Sequence, residues 1–152
     1  MQTFLPYSNF SRSAECLDDK RLGKQRIEAL EILRNLRGYS FGWRNHPAVK
    51  MWEGYEDALA FYGSICCKEW QKRSFRDSTS EGFLFHTKVK TFNELVEKDI
   101  EFPPWLGDKA FHAAHRSVLL AKRYLHYSQF GWKESIAVKD ESGRWPYIWP
   151  VS

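Results

Sequence analysis

Apolar residues that recur at every third or fourth position constrain the fold of this chain more than any other feature. The clearest run contains Val49, Trp52, Tyr55, Leu59, Tyr62, Cys66 and Trp70. That spacing places the side chains on one face of a helix. Pro47 suits the first helical turn, with Asn45 or His46 as the cap. The run therefore predicts a long helix that begins near Pro47 and ends near Lys72.

Two further segments show the same periodicity. One begins near Ser11, and Gly38 is suited to end it as a C-cap. The other follows Asp108, an N-cap residue type, carries Leu125 on its apolar face and ends near Phe130. Both segments are expected to form main helices of the fold.

The remaining segments lack a long helical pattern. Residues 74–87 are expected to form a loop, and a short helix is expected near residues 90–99. Residues 1–10 are expected to form an irregular arm, and the C-terminal segment GRWPYIWPVS an aromatic tail. Because the signal for strands is weak throughout, residues 1–152 are predicted to form one all-α domain of about three main helices.

Composition limits the cellular setting. The net charge of +4 and the pI of about 9.0 permit binding to a polyanion without requiring it. The cysteines, Cys16, Cys66 and Cys67, are odd in number and include a vicinal pair, so free thiols in a reducing cytoplasm are expected. No secretory signal and no run of about 18 apolar residues is present, so no membrane association is expected.

The segment KRLGKQRIEAL, residues 20–30, sets a single carboxylate behind four cations. At 3.6 residues per turn, Arg21, Lys24 and Glu28 share one helix face. One interpretation is a solvated face with an i,i+4 ion pair, which periodicity alone favours. The other is a nucleic-acid-facing surface that contains a catalytic acid.

The segment GWRNHP, residues 42–47, places Arg44, Asn45 and His46 immediately before a predicted helix. Backbone N–H groups at a helix start and an arginine side chain form an anion site. The same residues also fit a simpler role, in which Asn45 caps the helix and His46 packs against Trp43.

The segment FHAAHRS, residues 111–117, carries His112, His115 and Arg116. Histidines three residues apart on a helix are able to share a metal, but a third ligand would have to come from Glu28, His46 or His86 through folding. The histidines fit equally well as hydrogen-bonded polar groups or as phosphate contacts.

Aromatic residues alternate with other residues in the C-terminal tail. Trp145, Tyr147 and Trp149 follow Arg144. Such residues stack on bases or wedge into a duplex in nucleic-acid-binding proteins. They also fit a role in anchoring the tail on the core, which is preferred for at least one tryptophan.

In combination, these segments resemble the pyrimidine-dimer DNA glycosylase family, whose members are phage endonuclease V-like. The resemblance rests on Leu17–Asp18 with Leu22 to Leu30, on Gly42 to Pro47, and on His112 to Trp132, in matching order over about residues 1–132. Ile27 stands where the family has an arginine, and Arg26 is the nearest one.

The resemblance implies a small all-α fold and glycosidic cleavage followed by strand nicking. An N-terminal α-amine would attack C1′ of the damaged nucleotide and form a Schiff base, assisted by a glutamate in the first helix. Because the pKa of α-amino groups is about 7.7–8.0, a useful fraction of them is an unprotonated nucleophile at neutral pH. Gln2 is large enough to hinder removal of the initiator methionine, so Met1 would carry this amine and Glu28 would be the catalytic acid.

The resemblance also implies the binding residues and partners. The expected contacts to substrate or phosphate are Arg21, Lys24, Arg26, Arg44, His46, His112 and Arg116. The expected partner is double-stranded DNA, bound by a monomer in the cytoplasm at the nucleoid, with no metal and no cofactor. Two alternatives stay open, a nucleic-acid-binding module without catalysis and a metal-dependent nuclease that uses the histidines. Lys20 or Lys24 would be alternative sources of the amine.

Overall fold

A computed structural model describes residues 1–151, and this part of the chain contains eight α-helices and no strand. The helices are α1 (Phe10–Cys16), α2 (Asp19–Leu36), α3 (Pro47–Lys50), α4 (Glu56–Lys72), α5 (Ser80–Thr87), α6 (Phe92–Glu97), α7 (Lys109–Lys122) and α8 (Tyr124–Tyr127). The all-α prediction is confirmed. The three main helices expected from the sequence correspond to the three longest, α2, α4 and α7, with five shorter helices around them. None of the helices in residues 1–151 is long and apolar enough to cross a membrane.

The first predicted helix is two helices, α1 and α2. Asn9 caps α1 by accepting a hydrogen bond from the Arg12 N–H at 2.9 Å. The chain then becomes extended at Leu17 and Asp18 before α2 begins. The Asp18 N–H at this break donates to the hydroxyl of Tyr127, which satisfies a buried backbone group outside the helices.

Gly23 does not interrupt α2, although glycine weakens a helix interior. Its missing side chain makes room for the Trp70 indole on α4, because a Cβ at this position would lie 3.0 Å from Trp70 Cη2. The helix ends where expected. Gly38 takes the left-handed conformation with φ +81°, and the Tyr39 N–H donates to Arg34 O at 2.9 Å, as in a Schellman motif.

The second predicted helix begins at Pro47 and ends at Lys72 as expected, but it is interrupted. Gly54, with φ +87°, turns the chain between α3 and α4. His46 caps α3 because its Nδ1 accepts a hydrogen bond from the Ala48 N–H at 3.0 Å.

The loop predicted for residues 74–87 is wrong, because Ser80–Thr87 forms α5. Its consecutive apolar residues have no helical spacing, so no amphipathic pattern is visible in the sequence. Close packing supports the helix instead. The Phe83 ring lies against Gly63 of α4, where a Cβ would be 2.2 Å from the ring. The short helix expected near residues 90–99 is α6.

The third predicted helix begins as expected, since Asp108 Oδ1 accepts a hydrogen bond from the Phe111 N–H at 3.0 Å. It ends at Lys122, earlier than expected, and α8 and a 3-10 turn follow it to Phe130. Leu125 was expected on the apolar face, and this is wrong. The break at Arg123 turns α8 away from α7, which leaves Leu125 90% exposed.

The position of the N-terminal arm determines where a site forms. α2 packs mainly against α4, and α1 and α5 pack beside them. Residues 2–6 have no regular secondary structure but are buried. The arm therefore belongs to the core, and it emerges at Met1, which is partly exposed.

Candidate active site

Two histidines and an arginine of α7 hold the middle of the arm. The Leu5 N–H donates to His115 Nδ1 at 2.9 Å, and His112 Nδ1 lies 2.7 Å from Leu5 O. His112 Nε2 accepts from the Gly107 N–H at 2.9 Å, so Nδ1 carries the proton and donates to Leu5 O. Arg116 Nη1 donates to Pro6 O at 2.7 Å. The three side chains on one face of α7 therefore bind the backbone of two successive arm residues, Leu5 and Pro6.

Gln25 of α2 holds the front of the arm. Its Oε1 accepts from the Phe4 N–H and its Nε2 donates to Gln2 O, both at 2.8 Å. The Tyr62 hydroxyl lies 2.6 Å from the same Oε1 and 2.7 Å from Phe4 O. Because these groups are buried, each hydrogen bond replaces one that water would make, and the arm has one preferred register.

This register places the chain start beside Glu28. The Gln2 N–H donates to Glu28 Oε2 at 3.3 Å, so the residue that carries the α-amine is bonded directly to a residue that contacts the carboxylate. Both Met1 and Glu28 are partly exposed and line one cleft of about 410 Å³. Its lining residues are Met1, Gln2, Phe4, Lys20, Arg21, Lys24, Gln25, Glu28, Lys122, Trp145 and Tyr147.

The cleft is strongly cationic. Lys20, Arg21, Lys24 and Lys122 surround Glu28, the only carboxylate among the lining residues. Burial lowers the pKa of Lys122, and the positive charge of Arg21 adds to this effect. Such a field attracts a polyanion and concentrates it at the carboxylate.

The C-terminal tail forms the aromatic wall of the cleft. The Trp145 ring lies near two ammonium groups, with its centroid 5.4 Å from Lys122 Nζ and 5.0 Å from Lys139 Nζ. The Tyr147 ring packs edge-on against Phe4 at 6.3 Å between centroids. Burial, and then the charge of Glu28, raises the pKa of Tyr147, so its phenol stays protonated. Tyr147 thus anchors the tail, and Trp145 faces the cleft.

Four of the predicted catalytic and substrate-binding residues meet in this cleft: Met1, Arg21, Lys24 and Glu28. Lys20, the alternative source of the amine, and the tail aromatics Trp145 and Tyr147 also line it. His46 lies on the other side of Met1, where both line a second hollow of about 580 Å³. Burial lowers the pKa of His46, and the positive charge of the α-amino group at Met1 adds to this effect.

The other predicted contacts lie elsewhere. Arg26 is 8% exposed, and its Nη1 donates to Asp77 Oδ1 at 2.7 Å, so it is not available to a phosphate and does not replace the arginine that Ile27 lacks. Arg44 is exposed but outside the cleft, where its Nη1 donates to Asn35 O at 2.9 Å. His112 and Arg116 hold the arm instead of facing solvent.

Sequence reasoning missed Gln25 and Lys122 as site residues. Lys122 was visible only as a cation late in a helix. Nothing in the sequence marked Gln25 as a site residue, because a buried glutamine that binds backbone groups cannot be told apart in a sequence from an exposed polar residue of a helix.

The geometry of the histidines does not assemble a metal site. Two nitrogens of His112 and one of His115 already bind backbone groups. Within residues 1–151, no group of three or more His, Cys, Asp or Glu side chains has positions that suit a metal ion. The metal-dependent nuclease alternative therefore has no ligand set in the described part of the chain.

Comparison with known proteins identifies the N-terminal half. The family model described as pyrimidine dimer DNA glycosylase matches residues 1–81, from the arm into the start of α5. The match includes Met1 and Glu28 but not the FHAAHRS segment, so it covers less than the motif resemblance suggested. Neither the curated proteins nor the solved structures contain a significant match. Because the family model covers more than half of the chain, this protein belongs to the pyrimidine dimer DNA glycosylase family, enzymes that act on DNA.

Proposed function

We propose that this glycosylase also cleaves the DNA strand as an AP lyase, with the α-amine of Met1 as nucleophile and Glu28 as the catalytic acid and base. One observation carries the proposal: the Gln2 N–H donates to Glu28 Oε2 at 3.3 Å inside a cationic cleft. The amine one residue earlier therefore shares the cleft with the carboxylate. An amine and a carboxylate in contact with one reacting carbon are the groups that this chemistry needs.

The proposed reaction begins at C1′ of the damaged nucleotide. The unprotonated amine bonds to C1′ as the bond from C1′ to the base breaks, and the base leaves with a proton taken from water. Glu28 stabilises the positive charge that develops at C1′ and accepts the proton that the bonded amine releases. It then passes this proton to the ring oxygen, which opens the sugar to a protonated imine. Glu28 then removes a C2′ proton, the C3′–O bond breaks, and the 3′ phosphate leaves. Water hydrolyses the imine and frees the amine.

The surroundings of the cleft support a single bound DNA duplex. Arg21, Lys24 and Lys122 are proposed to contact phosphates, whose negative charges their side chains complement. Trp145 offers a ring face on which an unstacked base can stack. The protein is proposed to act as a monomer and as a single domain.

Borohydride trapping tests this proposal directly. Borohydride reduces the imine to a stable amine, so the protein should form a covalent adduct with duplexes that contain an abasic site or a pyrimidine dimer. Peptide mapping should place the adduct on Met1. Glu28→Gln, which keeps an acceptor for the Gln2 N–H, should lose the adduct. Glu97→Gln removes an exposed carboxylate of α6 outside the cleft and should react like the parent.

Other outcomes would refute specific parts. An adduct on Lys20 or Lys24, which also line the cleft, would show that a lysine is the nucleophile. The class of reaction would stay as proposed. Salt-sensitive DNA binding with no adduct on either duplex would leave only a binding module. Nicking that EDTA abolishes would instead indicate a metal-dependent nuclease. One extra residue before Met1 should abolish the adduct and leave DNA binding intact, because it moves the amine away from Glu28.

A further inference from the structure

Leu125 and Tyr124 form an exposed apolar tip in α8. The Leu125 side chain is 90% exposed and that of Tyr124 54%, whereas Tyr127 in the same helix is fully buried. Exposing leucine to this extent gains nothing for folding, since apolar burial is the main source of stability. The exposure of these two side chains is therefore not explained by the stability of the fold.

The tip is held firmly from behind. His126 Nε2 donates to Cys16 O at 2.8 Å, and the Tyr127 hydroxyl donates to Asp18 Oδ1. The Tyr127 ring also stacks on Trp132, with 5.6 Å between centroids and 13° between planes. Because both residues that follow Leu125 are bonded to the α1–α2 junction or stacked, α8 presents Leu125 in a defined position.

The tip follows a residue of the cleft closely in the chain. Lys122, three residues before Leu125, lines the cleft. Arg123 Nη1 lies 3.5 Å from Asp18 Oδ2, and Arg21 Nη1, from the cleft wall, lies 3.2 Å from the same oxygen. The two guanidinium groups are therefore neighbours. Positive charge continues from the cleft to the base of α8, and its complement is a phosphate backbone.

We infer that Leu125 is a wedge residue that enters the base stack of a DNA duplex next to the bound lesion, with Tyr124 beside it. The inference rests on the proposed action on DNA. Rigid apolar side chains that protrude beside a cationic surface unstack a base step and kink the duplex. A nucleotide must leave the stack to reach a cleft that lies between α2 and the tail. Leu125 would act as a positioning residue, because it does not reach the reacting atoms.

A fluorescent base tests the wedge without requiring any chemistry. The probe is a duplex with a tetrahydrofuran abasic analogue, which the protein cannot cleave, and 2-aminopurine beside it. Binding of the parent protein should raise the 2-aminopurine fluorescence as the base unstacks. Leu125→Ala should reduce this rise by about fivefold or more while binding persists, because the cations are unchanged. Leu125→Met should retain most of the rise.

Matched controls separate the wedge from general effects. Val96→Ala truncates another exposed apolar side chain, on α6 and outside the cleft, and should behave like the parent. On a natural abasic site, Leu125→Ala should lower the single-turnover rate by about tenfold in duplex DNA and leave the rate on a single strand unchanged, since a single strand has no duplex to open.

The outcomes distinguish the two proposals. An unchanged fluorescence rise in Leu125→Ala, or no rise with the parent protein, would overturn the wedge even if borohydride adducts form. Equal loss on duplex and single strand would also overturn it, because a wedge acts on the stack. Leu125-dependent unstacking without any adduct would retain the wedge and refute the lyase chemistry.

Discussion

Replacing Gln25 with methionine tests whether one buried amide determines the position of the reacting amine. Gln25 is 1% exposed and makes hydrogen bonds to Phe4 N–H and Gln2 O, both at 2.8 Å. Methionine has a similar volume and length, so the substitution removes the hydrogen bonds without opening a large cavity. The side chain of Tyr62 still bonds Phe4 O, so two backbone groups lose their partner.

The expected loss of stability follows from the Phe4 N–H and the Gln2 carbonyl, which lose their hydrogen-bond partner. An unsatisfied buried donor or acceptor costs about 1–3 kcal/mol, so we expect the free energy of unfolding to fall by about 3 kcal/mol after partial relaxation. Activity should fall further than stability explains. Because a shift of about 1 Å at a reacting group costs on the order of 100-fold in rate, we expect at least about a tenfold loss in the trapping rate.

Urea denaturation measures the first quantity, and single-turnover borohydride trapping at a temperature where the variants are folded measures the second. Leu33→Ala is the control. It truncates a fully buried side chain of α2 outside the cleft and should cost about 2–5 kcal/mol without slowing trapping. If Gln25→Met loses less than about 1 kcal/mol, the unpaired groups are not buried as described. If it reacts as fast as Leu33→Ala, Gln25 does not position the amine.

Three further predictions address stability. Burial lowers the pKa of His115 to about 3, so this residue is neutral when folded and gains a proton only on unfolding below about pH 6.5. The stability that neutral His115 contributes is therefore fully present above pH 6.5 and is lost as the pH falls towards 3. Between pH 7.5 and pH 5, the free energy of unfolding of the parent should fall by about 2 kcal/mol more than that of His115→Asn. Parallel pH profiles of the two proteins in urea titrations would contradict this. Gly63→Ala should lower the free energy of unfolding by about 1–3 kcal/mol because a Cβ would lie 2.2 Å from the Phe83 ring, whereas an unchanged thermal midpoint would show that the ring moves freely. Asp77→Asn should lower the free energy of unfolding by about 3–5 kcal/mol, because it leaves the Arg26 guanidinium buried without its charge partner. The rate of borohydride trapping should not change. Slower formation of the adduct with unchanged stability would instead indicate that Arg26 contributes to the active site.

Local patterns in the sequence located the long helices and some of the helix caps. Apolar spacing located α2, α4 and α7, and side-chain chemistry identified Asp108 as a cap and limited the cap of α3 to Asn45 or His46. These features depend on residues a few positions apart, so a sequence window contains their cause. The helix α5 was missed because its support comes from Gly63 on another helix. The break after α7 was missed because its cause is the anchoring of Tyr127 on Asp18, more than a hundred residues away.

For the site, the order of the motifs was enough to single out Glu28 and Met1 as the pair to examine, and the family match over residues 1–81 includes both. The sequence did not determine which neighbours share their cleft. Helix periodicity puts Arg21 and Arg26 on different faces, but only packing decides that Arg21 faces the cleft and Arg26 pairs with Asp77. Likewise, the backbone of the arm needs partners for its buried polar groups, and a chain cannot show in advance which distant side chains will meet it. The tertiary structure decided that His115, His112 and Gln25 hold the arm, and thereby that its first residue lies beside Glu28.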